Sequence, residues 1–307
     1  MSQKFKFSTR QVTKEQKSVY EYSSVFKEAF KVFSKNKVAL SGVIIFIILL
    51  LLSVIFTLLP NYDAMGIGNP YENLSAKHWF GTDASGRDFW SRCWGAVKYS
   101  LILALITTTL NVLIAITIGL FMGYFDTFDK YFGYVIKVMY ALPTIIVLIL
   151  FSVAFSPDSN EVKFYGLKSF GVVVLSLIFS GWVNSSQQIR GVVLKTRNLD
   201  FITASQTLGT KRFQILKTFF SYALPIIIVQ FVIIFPRMII SEATLGFLGL
   251  SVPNIPTLGN LINDGRPVFL NYPRLLLVPL SYLAVTTISI QLIGFGVEDA
   301  LLAKGCR

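Results

Sequence analysis

Charge is scarce in this chain: 14% of its 307 residues are Asp, Glu, Lys or Arg, against 53% hydrophobic. Mean hydropathy is +0.62, and that balance excludes an ordinary water-soluble domain, in which about a quarter of residues are charged. Histidine occurs once and cysteine twice. His78 stands without neighbouring cysteines or paired carboxylates in the sequence, so no metal site is expected of it. No phosphate-binding G-x-x-x-x-G-K-[ST] loop, G-x-S-x-G elbow or H-E-x-x-H helix is present. The chain is therefore expected to be non-catalytic, with no catalytic, cofactor-binding or metal residues of its own.

What is abundant is the long apolar run. A span needs about 20 apolar residues to cross a hydrocarbon core of about 30 Å. Five blocks reach that length, at 38–59, 97–121, 132–155, 222–248 and 275–297. A sixth, 170–183, is shorter and ends in Asn184-Ser185-Ser186-Gln187-Gln188. It must cross as well for the topology to close, so the expectation is an all-α polytopic membrane protein with six transmembrane helices. The polar cluster at its end reads either as cavity lining or as the cytoplasmic end of the span, the latter preferred. Placing the N-terminus inside puts eighteen basic residues in the inner segments and seven in the outer ones. This bias sets both termini in the cytoplasm.

The parts follow: a basic N-terminal segment 1–37 with an interfacial helix carrying Phe26, Phe30 and Phe33, a first span 38–59, an extracellular loop 60–96, a five-helix core 97–297 and a cytoplasmic tail 298–307. The first span is too long for a cleaved signal peptide and reads as a permanent anchor. The net charge of +12 is largely this topological bias, so nucleic acid is not an expected partner. Cys93 and Cys306 fall on opposite faces and cannot pair within the chain.

The cytoplasmic loop 187–221 is unusually rich in sequence for a connection. Arg190, Lys195, Arg197, Lys211, Arg212 and Lys217 surround Asp200-Phe201-Ile202-Thr203-Ala204-Ser205-Gln206-Thr207-Leu208-Gly209. A short helix is expected over 201–208, with Gly209 as a left-handed C-terminal cap. Thr203, Ala204 and Ser205 are small enough for close approach by a partner. A solvated linker helix is the alternative. Within the spans, Arg237 and Glu242 are the clear charges. They are five apart and need not pair with each other, and Asp264 and Arg266 are candidate partners. Lining of a translocation path is the sharper reading. Pro143 and Pro236 are expected to kink their helices.

Outside the membrane, His78-Trp79-Phe80-Gly81-Thr82-Asp83-Ala84-Ser85-Gly86-Arg87-Asp88 reads as a capped turn. Thr82 or Asp83 would N-cap a segment 87–97, and Gly81 and Gly86 would set turns. The run resembles the GTDxxGRD signature of permease subunits in the dipeptide/oligopeptide/nickel class of ABC importers, the C-type permease in particular. Gly119-Leu120-Phe121-Met122-Gly123-Tyr124 with Asp129, and Ala141-Leu142-Pro143-Thr144, are similar to the ends of that family's second and third spans. Trp182, Arg190, Leu194, Asp200, Ala204, Leu208 and Gly209 fall at the family's spacing in the cytoplasmic loop. Glu242-Ala243-Thr244-Leu245-Gly246-Phe247-Leu248-Gly249-Leu250 and Leu258-Gly259-Asn260 resemble its EAALSFLGLG and WGN motifs. The likeness extends over roughly residues 30–300. Departures are Thr203 and Ser205 in the general EAA---G loop motif, Gln187 for a frequent arginine, a late Pro225 and Leu258 for tryptophan.

The resemblance implies a type I ABC importer permease fold in a bacterial plasma membrane, forming half of a translocation pore. It implies a second related permease, two ATPase subunits that carry ATP and magnesium, and an extracellular solute-binding protein, all in membrane lipid. Its coupling loop would comprise Arg190, Asp200, Thr203, Ala204, Ser205, Leu208 and Gly209. The outer signature would comprise Gly81, Thr82, Asp83, Gly86, Arg87 and Asp88. Short peptides are the expected solute, with nickel or a metal chelate as the same-class alternative. An ion-coupled secondary carrier is the rival from another class. It would need internal repeats and ion sites at broken helices, and no convincing repeat relates 38–155 to 170–297.

Overall fold

Long apolar segments fold as helices because a backbone in lipid must satisfy its own hydrogen bonds. A computed structural model of the chain describes residues 22–58, 68–155, 165–252 and 255–302. These hold eleven helices and, besides them, one isolated antiparallel bridge, Thr82 to Asp88. Most of the basic N-terminal segment, the Phe26 side chain and Cys306 lie outside what is described.

The amphipathic α1 (Tyr22–Phe33) turns at Asn36 into α2 (Lys37–Leu58), which is apolar all round. The Asn36 Oδ1 accepts from the Val38 and Ala39 amides at 3.1 Å each, so this residue starts α2. Then come α3 (Phe89–Tyr124), α4 (Asp126–Ala141), α5 (Thr144–Ala154), α6 (Tyr165–Gly181) and α7 (Val183–Arg197). The short α8 (Asp200–Thr207), α9 (Arg212–Phe247), the short α10 (Leu258–Gly265) and α11 (Arg274–Leu302) complete the chain. Four helices are each long and apolar enough to cross a membrane: α2, α3, α9 and α11. Two bent pairs, α4 with α5 and α6 with α7, pass the same test as joined units.

Three features depart from the sequence expectation. The block 132–155 is not one helix: α4 and α5 meet at 94°. The cause is local, because Leu142 before Pro143 is extended (φ −91°, ψ 127°), as a residue preceding proline prefers. Pro225 and Pro236, by contrast, sit inside a continuous α9. Second, α6 and α7 bend by 44°, and the Asn184–Gln188 cluster begins a second helix that runs on to Arg197. Third, α3 starts at Phe89 rather than near residue 97, absorbing residues 89–97 of the segment 87–97. Its N-cap is Asp88, whose Oδ2 accepts from the Ser91 amide at 2.9 Å, not Thr82 or Asp83.

The core is the packing of α3 against α7 and α9, with α11 and α2 closing one side. Close approach depends on missing side chains at one crossing in particular. A Cβ on Gly246 would lie 2.7 Å from the Gly259 backbone, and one on Gly259 would lie 2.6 Å from the Ala243 carbonyl. These glycines let α10 lie directly on the C-terminal end of α9.

Candidate functional site

Three clusters of the expected residues take shape, one at each end of the bundle and one inside it. At the end of the bundle where α3 begins, Gly81 and Gly86 both have positive φ (72° and 73°), which only glycine adopts without strain. Between them, Thr82 is fully buried; its hydroxyl donates to the Asn69 carbonyl and accepts from the Glu72 amide, both at 2.7 Å. The Asp83 Oδ1 accepts from the Ser85 and Arg87 amides at 2.8 and 2.9 Å. Its Oδ2 accepts from Arg87 Nε at 2.9 Å and from Arg92 Nη1. Burial alone would raise the Asp83 carboxyl. The Arg87 amide, the Arg92 and Arg87 charges and the Ser85 amide outweigh it and hold the group below its ordinary 3.8.

Arg92, absent from the expected set, reaches on to Asp264 of the α10 region at 3.4 Å. The two walls enclose a cleft of about 560 Å³ lined by Asp83, Arg87, Arg92, Asp264 and Arg266 among others. His78 does have carboxylate neighbours, contrary to expectation. Its Nδ1 is 2.9 Å from Asp88, which caps α3, and its Nε2 is 3.9 Å from Glu72. Among the described residues no group of three His, Cys, Asp or Glu side chains is placed to hold a metal.

Inside the bundle, Glu242 is completely buried in α9. It accepts from Ser100 Oγ of α3 at 3.0 Å and from Ser251 Oγ, in the connection to α10, at 3.1 Å. Ser100 in turn accepts from the Leu258 amide at the start of α10 at 3.0 Å. One carboxylate thus ties α3, α9 and α10 together. Neither expected partner touches it: Asp264 pairs with Arg92, and Arg266 lies 5.3 Å over the Phe247 ring. Arg237 is exposed on another face of α9.

At the opposite end of the bundle, α7 runs alongside α3 and finishes on the first turn of α4. Arg190 grips Asp129 through Nε at 2.5 Å and Nη2 at 2.7 Å. Arg197 reaches Asp126 at 2.8 Å. Arg190 therefore points at α4, and α8 lies beyond it. That short helix starts at Asp200 and is held by Ile202, which is 2% exposed, and by Phe201 stacked on Tyr222 at 5.9 Å. Gly209 (φ 77°) closes it. The Thr210 amide donates to the Ser205 carbonyl at 3.1 Å and the Gly209 amide to Gln206 at 3.0 Å, the paired bonds of a Schellman cap. Thr203 and Ala204 face outward, and Ser205 Oγ meets Thr210 Oγ1 at 2.8 Å. Around this helix Leu208 is 86% and Phe213 78% exposed, an apolar surface on a polar connection. Phe213 was not among the expected residues, although a phenylalanine between Arg212 and Gln214 is a legible oddity.

The family described as binding-protein-dependent transport system inner membrane component matches residues 111–301. The N-terminal TM domain of oligopeptide transport permease C matches residues 24–76. The oligopeptide transport system permease protein OppC of Bacillus subtilis (strain 168) is 29% identical over 286 residues, 92% of this chain and 90% of its own. The dipeptide transport system permease protein DppC of the same organism is 31% identical over 287 residues, covering 92% and 86%. The oligopeptide permease AmiD of Streptococcus pneumoniae (strain ATCC BAA-255 / R6) is 26% identical, covering 90% and 89%. This multi-pass membrane chain belongs to the family of binding-protein-dependent transport system inner membrane components.

Proposed function

We propose that the chain is one of two membrane subunits of an ATP-driven importer of short peptides. Each bent pair counts as one span, giving six, with both termini in the cytoplasm as the basic-residue bias requires. The observation that carries the proposal is the exposed apolar surface at α8, where Leu208 and Phe213 stand free beside a capped, internally pinned helix. Such a surface suits a groove on a separate ATPase subunit, which would supply the ATP, the magnesium and the hydrolysis. The relatives named for oligopeptide and dipeptide transport support peptides as the solute. A second permease would complete the pore, and an extracellular binding protein would deliver solute to the outer face.

Gentle detergent purification of the tagged chain from its native membrane, followed by mass spectrometry, tests the assembly. A second permease and ATPase subunits should accompany it. Ala204 is exposed on α8, so Ala204→Glu should leave the chain inserted and paired but strip away the ATPase and abolish ATP-coupled uptake. Recovery of the chain alone, stable and monodisperse, would instead favour a carrier that works without ATP.

A further inference from the structure

The two bent pairs meet at their breaks. Tyr140, at the end of α4, donates its hydroxyl to Asn184 Oδ1 at the start of α7 at 2.6 Å. Both residues are exposed. One turn further along α7, Gln188 is exposed as well, and its Oε1 accepts from Gln230 Nε2 of α9 at 2.8 Å. Gln230 Oε1 in turn accepts from Ser185 Oγ at 2.9 Å. These bonds use the acceptor oxygens of Asn184 and Gln188. Among the described residues, the Asn184 Nδ2 and Gln188 Nε2 donors have no partner. The same face continues through Gly191, which has open space beside it, to exposed Lys195.

This polar strip lies at membrane depth. A Cβ on Gly181 would meet Asn111 and one on Gly119 would meet the Ser186 carbonyl, so Asn184 sits between these levels of α3. Gln230 is near the middle of the 36-residue α9. Unpaired amide donors facing hydrocarbon carry a cost of several kcal/mol each. A 94° break in a span, with Ala141, Leu142 and Pro143 exposed, is tolerated only where it lines water or packs on protein. Lipid is therefore the wrong neighbour for this face.

We propose that Asn184 and Gln188, together with Tyr140, hydrogen-bond the backbone of a peptide passing along this face; the proposal rests on the peptide-importer function above. Side chains four apart on a helix are about 6 Å from one another. Alternate carbonyls on one side of an extended peptide repeat at about 6.6 Å. Two amide donors at that spacing match two such carbonyls, and they do so for any peptide sequence. Tyr140 can shift from Asn184 to the passing chain, since its hydroxyl both donates and accepts.

The test uses the complete importer in lipid nanodiscs, where both faces are reachable. Asn184→Cys and Gln188→Cys are made in a Cys306→Ser background, Cys93 being buried, with Leu270→Cys as an exposed control. A charged, lipid-insoluble thiol reagent should label both test cysteines in at least one nucleotide state. A series of radiolabelled alanine peptides from dipeptide upward, with the binding protein, should slow that labelling. In proteoliposomes, Asn184→Leu and Gln188→Leu should each cut uptake about tenfold, as expected when one backbone carbonyl loses its partner. Failure of both test cysteines to label in every state, with Leu270→Cys labelled, would place the face against protein or lipid and overturn the proposal. Labelling that no peptide slows, with unchanged uptake by the leucine variants, would overturn the peptide contact. Absence of uptake by the unmodified importer, with the cysteines still labelled, would instead sink the peptide-importer function while leaving a water-lined face.

Discussion

Glu242 shows how one side chain can decide a junction. Its carboxylate accepts hydrogen bonds from Ser100 of α3 and from Ser251 in the connection between α9 and α10. Removing the acceptor takes the partner from the buried Ser100 hydroxyl and the half-buried Ser251 hydroxyl, at about 1–3 kcal/mol apiece before relaxation. Glu242→Leu should therefore destabilise the folded chain by about 3 kcal/mol or more, and Glu242→Gln, which keeps an acceptor oxygen, by about 1 kcal/mol. Denaturant unfolding in detergent measures the difference; equal losses would show that packing volume, not hydrogen bonding, dominates. Asp83 makes a second residue-level case, also buried but surrounded by cations. A carboxyl held below its unfolded value adds stability above that value and loses it as the pH falls through the native one. The melting temperature should thus be flat at mildly acid pH and fall only below about 3.8. Asp83→Asn should melt lower at neutral pH and lose that acid limb. The roles of both residues were legible only in part. Their motifs stood out in the sequence, but Ser100 and Arg92 lie far from them in the chain or look like ordinary members of a span. No local pattern announces a partner 142 positions away.

Among elements, α8 is the one whose form followed most directly from its residues. Small side chains, an acidic first residue and a glycine at the end specify a short capped helix, and its bounds differ from 201–208 by one residue at each end. A Cβ placed on Gly209 would find nothing within 4 Å, so Gly209→Ala isolates backbone strain from crowding. The change should weaken the cap by about 1 kcal/mol, visible as faster amide exchange over 205–210 with the rest of the protein unchanged. Other elements were less legible. Proline marked position 143 as a kink, and the extended Leu142 before it breaks the helix, but the 94° angle between the two halves is not written in those residues. The helix α7 was hidden because its polar residues break the apolar period, although a span that turns polar remains free to stay helical. The short α10 was missed despite a Thr257 cap and Leu258, Leu261 and Ile262 at helical spacing, because a window of that length seldom outweighs its surroundings.

For the molecule as a whole, the distribution of basic residues predicts sidedness. In intact cells, a cysteine at Leu270, which is 93% exposed, should react with an impermeant thiol reagent from outside. A cysteine at Thr207 on α8 should react only once the membrane is opened; the reverse pattern would invert the topology. The long helix α9 ties these two faces together. At 36 residues it is about 54 Å long, with the α8 junction at one end and the Glu242 knot near the other, and neither internal proline interrupts it. It is in effect a lever. A tilt of about 10° about its midpoint swings its two ends about 5 Å in opposite directions. A shove at the α8 end is then felt at the Glu242 end with its sense reversed, so in the proposed pore opening one mouth and shutting the other would become a single movement.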